Sequence, residues 1–359
     1  MNRYSNTIKI NNTVIGEGFP TYFIADIAAN HDGDINRAIK LIKLAEECGA
    51  NAVKFQHFNA ETIVSDYGFK NLGKKASHQK KWKKTVYEVY KDASIPSSWT
   101  RILKEACDEN EITFFTSPYS IEIVDDVDEY VSAYKVGSGD ITWIDIIKHM
   151  ASKGKPIIIA TGASNFVDVC NATNAAINVN TDVVLMQCNT NYTAKKENFK
   201  YINLNVLKSY HSMYPNVILG LSDHTPGCTT VLGAVALGAK VIEKHFTDDN
   251  SRVGPDHVFS MNPESWTDMV EKTRELEFAL GCGVKKIEDN ELETAILQRR
   301  SIRTRKYLKA GSVIGEKDII ALRPCPINAI DPSYVSSIVG KKITHNLKKG
   351  ECLFWSNIE

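Results

Sequence analysis

Short, nearly unbroken apolar runs recur along the chain with helix-length stretches between them: Tyr22-Phe23-Ile24-Ala25, Ala52-Val53-Lys54-Phe55, Ile112-Thr113-Phe114-Phe115, Ala133-Tyr134-Lys135-Val136, Ile157-Ile158-Ile159-Ala160, Val183-Val184-Leu185-Met186, Val217 to Leu221, and Val241-Ile242-Glu243. Runs without polar alternation read as strands buried on both faces, which is the condition of a parallel sheet covered by helices. The stretch Asn36 to Cys48 supplies such a helix, with Ala38, Leu41, Ile42, Leu44 and Ala45 on one face. Eight strand–helix units fit a closed barrel, so an α/β fold of the (β/α)8 TIM type is predicted over residues 1–285. An open doubly wound sheet is the alternative, but no Gly-x-Gly-x-x-Gly turn follows the first strand. The insert Glu61 to Ser97, carrying Trp82, Tyr87, Tyr90 and many lysines, is expected to form a long loop with short helices over the barrel mouth.

A different texture begins near Lys285. The charged stretch Lys285 to Glu293 reads as a linker or a solvated helix, and a linker is placed at 286–299. From Arg300 to Glu359 the apolar pieces are short and broken by turns such as Lys309-Ala310-Gly311-Ser312 and Pro324-Cys325-Pro326, which predicts a small β-rich domain. With 43 basic and 43 acidic residues, general affinity for nucleic acid or anionic membrane is not expected. Neither an apolar leader nor a membrane-length apolar stretch is read in the sequence. Eight scattered cysteines without a Cys-x-x-Cys pair suit a reducing compartment, so a cytoplasmic protein is expected.

The strand ends carry the chemistry. The last two runs deliver His224 and His245, which a parallel pairing would bring to one rim, where neutral imidazoles can hold a divalent metal. Two protein ligands suit an exchangeable Mn2+ or Mg2+ better than a structural zinc. The plainer reading makes each a hydrogen-bonded rim residue. Lys54 and Lys135 interrupt apolar strands, and a buried ammonium requires an anion. Phosphate and carboxylate groups of a substrate answer that need; a structural carboxylate, or a Schiff base as in class I aldolases, are the alternatives.

Taken in order, Ala25-Asp26-Ile27-Ala28-Ala29-Asn30-His31-Asp32-Gly33, Val53-Lys54-Phe55-Gln56, Thr116-Ser117-Pro118-Tyr119, Tyr134 to Asp140, Gly220 to Thr225, Glu243-Lys244-His245-Phe246-Thr247 and Gly254-Pro255-Asp256 resemble the sialic acid (N-acetylneuraminate) synthase family. The segment from Arg300 to Glu351 resembles the antifreeze-like (SAF) domain that completes those enzymes. The resemblance implies a transferase that condenses phosphoenolpyruvate with an N-acylated hexosamine such as N-acetylmannosamine and releases phosphate. A diacetamido sugar leading to legionaminic- or pseudaminic-type acids is the neighbouring alternative. A Schiff-base pyruvate aldolase and a non-enzymatic carbohydrate-binding protein are the more distant ones.

By the same resemblance, Lys54, Gln56, Thr116, Lys135, Ser138 and Ser222 would hold phosphoenolpyruvate, and a domain-swapped homodimer would form. Asp26 and Glu243 would serve catalysis, Glu243 alternatively orienting a histidine. Asp140, Tyr192 and Asp256 would face the sugar, Arg323 would reach its N-acyl group, usually from a partner subunit, and Asn189 or Asn191 would reach phosphate or sugar. Asp26 and Asp140 stand where the family usually has Glu, which draws each carboxylate back by roughly 1.2 to 1.5 Å. Thr193 replaces a usual proline, and the loop after Arg323-Pro324 is longer than usual. All these departures fall on the sugar side. Asp223 and Asp32 read as turn and cap residues.

Overall fold

The computed structural model describes residues 7–72, 79 and 82–359. Two compact units divide at Gly281 and Cys282. The first opens with an antiparallel hairpin of β1 (Thr7–Ile10) and β2 (Thr13–Gly16). Eight parallel strands then close on themselves: β3 (Tyr22–Asp26), β4 (Ala52–His57), β5 (Thr113–Pro118), β6 (Tyr134–Val136), β7 (Ile157–Ala160), β8 (Val183–Cys188), β9 (Ile218–Asp223) and β10 (Val241–His245). The last strand pairs with the first, Val241 beside Tyr22 and His245 beside Asp26, which closes the barrel expected from the recurring apolar runs.

Local sequence accounts for these elements. Four of the eight barrel strands, β3, β7, β8 and β9, are apolar up to their last one or two residues, because both faces are covered. The helix Ile35–Glu47 starts where Asp34 accepts from the Asn36 amide at 2.9 Å, and it buries Arg37, Ala38, Leu41, Ile42 and Ala45 against the sheet. Between β9 and β10 the backbones approach so closely that a Cβ on Gly220 would lie 2.7 Å from the Val241 carbonyl oxygen. Only glycine fits there without moving a strand.

The insert after β4 forms helices Ala60–Ile63, Asp66–Asn71 and Val86–Ala93, the last begun by a reciprocal Thr85–Glu88 cap. Its lysines at 74, 75, 80 and 81 lie outside the described residues. Among the described residues, no helix is long and apolar enough to cross a membrane. The eight cysteines are all unpaired.

In the second unit, the charged stretch leads into a helix, Leu292–Gln298. Beyond it, β11 (Ser301–Thr304) and β12 (Ile319–Leu322) pair antiparallel around a core that includes Ile302, Leu308, Ile314, Ile330, Ile343 and Leu353. Isolated bridges such as Leu308 to Leu347 and Val313 to Lys342 connect the turns, in keeping with a turn-rich β fold.

Candidate active site

Side chains alternate along a strand, so one register decides which residues enter the barrel. Lys54 and Gln56 of β4, Lys135 of β6, Cys188 of β8, Ser222 of β9, and Glu243 and His245 of β10 all face one cavity of about 370 Å³ at the C-terminal strand ends. Loops after the strands add Ser138, Asp140, Tyr192, His224 and Asp256. Trp82, Val89 and Tyr90 of the insert also line it, as the mouth-covering expectation required.

At the centre lies a buried ionic cage. Lys54 Nζ stands 2.8 Å from Asp26 Oδ2 and 3.4 Å from Glu243 Oε1, and Lys135 Nζ stands 3.4 Å from the same Glu243 oxygen. Ser222 donates to Glu243 Oε1 at 3.1 Å, and Gln56 donates to Asp26 Oδ2 at 3.2 Å. Burial would raise the Glu243 carboxyl, but Lys135 and Lys54 outweigh it and hold it at about 2. Burial would likewise lower the Lys54 ammonium, which Asp26 and Glu243 instead keep above its usual range. Lys135 goes the other way: burial lowers it, and Glu243 compensates only in part. The lysines therefore have carboxylate partners, as one sequence alternative held, but those partners line the cavity themselves.

Burial pushes the Asp140 carboxyl up to about 6. It carries Asp256 to about 7, against the Ala29 amide that donates to Asp256 Oδ2 at 3.2 Å. Two cavity carboxyls can thus hold a proton near neutrality.

The imidazoles of His224 and His245 lie with ring centroids 5.3 Å apart. Tyr192 packs edge-on to His224 at 4.4 Å, and Phe259 packs against His245 at 4.9 Å. Burial lowers both imidazoles, His224 to about 4 with help from His245 and His245 to about 3 with help from Lys54, so both are neutral at pH 7. His224 Nδ1 donates to the Asn189 carbonyl oxygen at 3.0 Å, which leaves the Nε2 lone pair available. Among the described residues, no group of three His, Cys, Asp or Glu side chains gathers as a metal site.

Two expected residues, Thr116 and Asn189, turn their side chains elsewhere. Thr116 lines the outer side of its strand: its hydroxyl donates to the Phe55 carbonyl oxygen and meets His57 Nδ1 at 2.7 Å. The register sets Ser117, not Thr116, beside inward-facing Gln56, and the buried Ser117 hydroxyl has no hydrogen-bond partner. Counting by twos from Lys54 through the pairing would have found it. Asn189 contributes its backbone carbonyl to His224, while its side chain reaches toward Tyr201 O at 3.4 Å. Arg323 belongs to the second unit, where its Nε donates to Gln298 O at 2.6 Å. Cys188 and Tyr119, which line the cavity, are further residues the motifs did not single out.

Comparison with known proteins agrees with this architecture. The chain is 36% identical over its full length to the N,N'-diacetyllegionaminic acid synthase of Legionella pneumophila, covering 99% of that protein. It is 28% identical to human N-acetylneuraminate-9-phosphate synthase, covering 96% of this chain and 94% of that protein. The crystal structure of the N-acetylneuraminic acid synthetase from Leptospira borgpetersenii, in complex with citrate, superposes with a TM-score of 0.70 at 28% identity, covering 81% of this chain and 95% of that one. Residues 299–359 match the SAF domain, and residues 41–285 match the NeuB family. A match over more than half of the chain, on a barrel with these strand ends, makes this protein a member of the NeuB family.

Proposed function

We propose that the protein is a nonulosonic acid synthase that joins carbon 3 of phosphoenolpyruvate to the aldehyde carbon of an N-acylated hexosamine and releases phosphate. The observation that carries this reading is the one cavity lined together by the ammonium groups of Lys54 and Lys135 and the neutral imidazoles of His224 and His245. Lys54 and Lys135 supply cations for the phosphate and carboxylate of phosphoenolpyruvate, and Gln56, Ser138, Ser222 and Ser117 supply hydrogen bonds. The enol carbon attacks the aldehyde carbon, water adds to carbon 2, and the carbon–oxygen bond to phosphate breaks with its electrons leaving on phosphate. Asp26, anchored by Lys54 and Gln56, orients that water. Asp256 and Asp140 face the sugar hydroxyls, where carboxyls raised toward neutrality can accept or return a proton.

The residues fit a divalent cation at His224 and His245: both rings are neutral, and His224 turns its protonated nitrogen to Asn189 O. When bound, Mn2+ or Mg2+ would supply a Lewis acid for the aldehyde oxygen. The acceptor in this reading is N-acetylmannosamine or a diacetamido relative. The test is phosphate release from phosphoenolpyruvate with a panel of hexosamines and Mn2+, with product mass by mass spectrometry. A nine-carbon 2-keto acid is expected with at least one sugar; no phosphate release with any of them would overturn the reading.

A further inference from the structure

The residues that immediately precede the two histidines, Asp223 and Lys244, face away from the cavity, and they form the most deeply buried ion pair among the described residues. Lys244 and Asp223 are paired in register across β10 and β9; His245 ends β10 and His224 is the first residue after β9. The side chains of Ser222, His224, Glu243 and His245 enter the cavity, so alternation sends Asp223 and Lys244 to the opposite face. Both are almost completely shielded, each with 1% of its side chain exposed. Lys244 Nζ donates to Asp223 Oδ2 and, at 2.6 Å, to the Thr225 carbonyl oxygen. The Asp223 carboxylate also accepts from Thr225 Oγ1 and Thr230 Oγ1 at 2.8 Å each, and from the Thr225 amide at 3.2 Å.

The ammonium group thus grips the residue before His224 and the residue after it, while its own chain neighbour is His245. Every polar atom of this cluster is satisfied on the outside of the same two strands whose C-terminal ends deliver the imidazoles. The two rings are otherwise unequally held: His224 has its bond to Asn189 O, whereas His245 Nδ1 is buried without a hydrogen-bond partner. The His245 backbone is anchored by the Met261 amide, which donates to its carbonyl oxygen at 2.8 Å. On the cavity side the rings meet Tyr192 and Phe259 through ring contacts, and His245 Nε2 stands 3.5 Å from Asp26 Oδ2; no hydrogen bond there ties one imidazole to the other.

The geometry points to Lys244 and Asp223 as positioning residues: a clamp on the outer face of the barrel that sets the separation of the two imidazoles for a divalent cation. The inference rests on the proposed metal role of His224 and His245. Two buried charges are a costly way merely to fill space, since apolar side chains of similar size often do that as well or better. A ligand pair held within about 0.5 Å, by contrast, requires support from residues behind it.

The experiment is Mn2+ titration of the purified metal-free protein, read by the electron paramagnetic resonance of free Mn2+, alongside the thermal midpoint. Lys244→Met is expected to weaken Mn2+ binding about ten- to hundredfold. It also strands the Asp223 charge and lowers the midpoint. The double variant Asp223→Asn/Lys244→Met carries no stranded charge, so its midpoint should return toward that of the unaltered protein while Mn2+ binding stays weak. A double variant that binds Mn2+ as tightly as the unaltered protein would overturn the clamp, even if the single variant does not fold. If His224→Ala instead binds Mn2+ normally, the metal role itself fails and the clamp falls with it.

Discussion

Two buried ionic clusters lie back to back on β9 and β10, and they are built differently. On the outer face, Asp223 and Lys244 share hydrogen bonds with Thr225 and Thr230 until no polar atom of the pair lacks a partner. On the inner face, Glu243 is 3.4 Å from each of two ammonium groups, its Oε2 has no hydrogen-bond partner, and neither does His245 Nδ1. Buried polar atoms in folded proteins are paired with few exceptions, and an exception inside a cavity marks a position that a ligand completes. The outer cluster is completed within the fold; in the proposed function the inner one is completed by substrate. The same chemical groups are therefore fully paired on one face of a strand and left partly open on the other.

Substitutions that treat the two faces alike should give unlike results. The largest effect is expected from Lys135→Met, which removes one of the two inner cations. Steady-state kinetics should show kcat/KM for phosphoenolpyruvate falling by roughly 10²–10³-fold, about 3–4 kcal/mol of transition-state stabilisation. Its thermal midpoint should hold or rise, because burial already disfavours that ammonium. A midpoint loss as deep as that of Lys244→Met would erase the contrast between the faces.

The next effect sharpens it by pH. His57, fully satisfied between Thr116 Oγ1 and Thr100 Oγ1, is held near 4 by burial, well below the ordinary 6.5. Its unfolded form takes up a proton before the folded form does, so folding stability is complete above about pH 6.5 and declines as pH falls toward 4. The loss is on the order of 3 kcal/mol at the acid end of that window. Thermal melts of the unaltered protein and His57→Gln between pH 7 and 4 should converge as the pH drops.

The smallest effect has the opposite sign. Asp140, pushed up to about 6 from 3.8, binds its proton more tightly folded than unfolded, so its ionisation costs stability as pH rises from about 4 through 6. Asp140→Asn should raise the midpoint at pH 8 by the equivalent of at most about 1 kcal/mol after solvent screening, and leave it unchanged at pH 4. Equal shifts at both pH values would show that the carboxyl is not the destabilised group this cavity makes it.

Much of this molecule was legible in one dimension. Eight apolar runs set the strands because a helix-covered parallel sheet admits no polar alternation, and the lysines stood out as the costly interruptions. His224 and His245 were readable as a pair because they end consecutive runs. The sequence resemblance also named most of the cavity lining. What it missed followed from the register. Thr116 and Ser117 are adjacent hydroxyl residues, and only the pairing of Gln56 with Ser117 tells which one enters the barrel. Lys244 lies between Glu243 and His245 in a run of polar residues, and nothing linear shows that it turns outward to meet Asp223. The contribution of Asn189 by its backbone is equally invisible in side-chain chemistry. Composition and periodicity determine which segments are buried, because burial is a property each segment pays for locally through its own apolar surface. Which face a residue occupies, and which charge answers it, depends on strands twenty or more positions away, and that was decided only when the barrel closed.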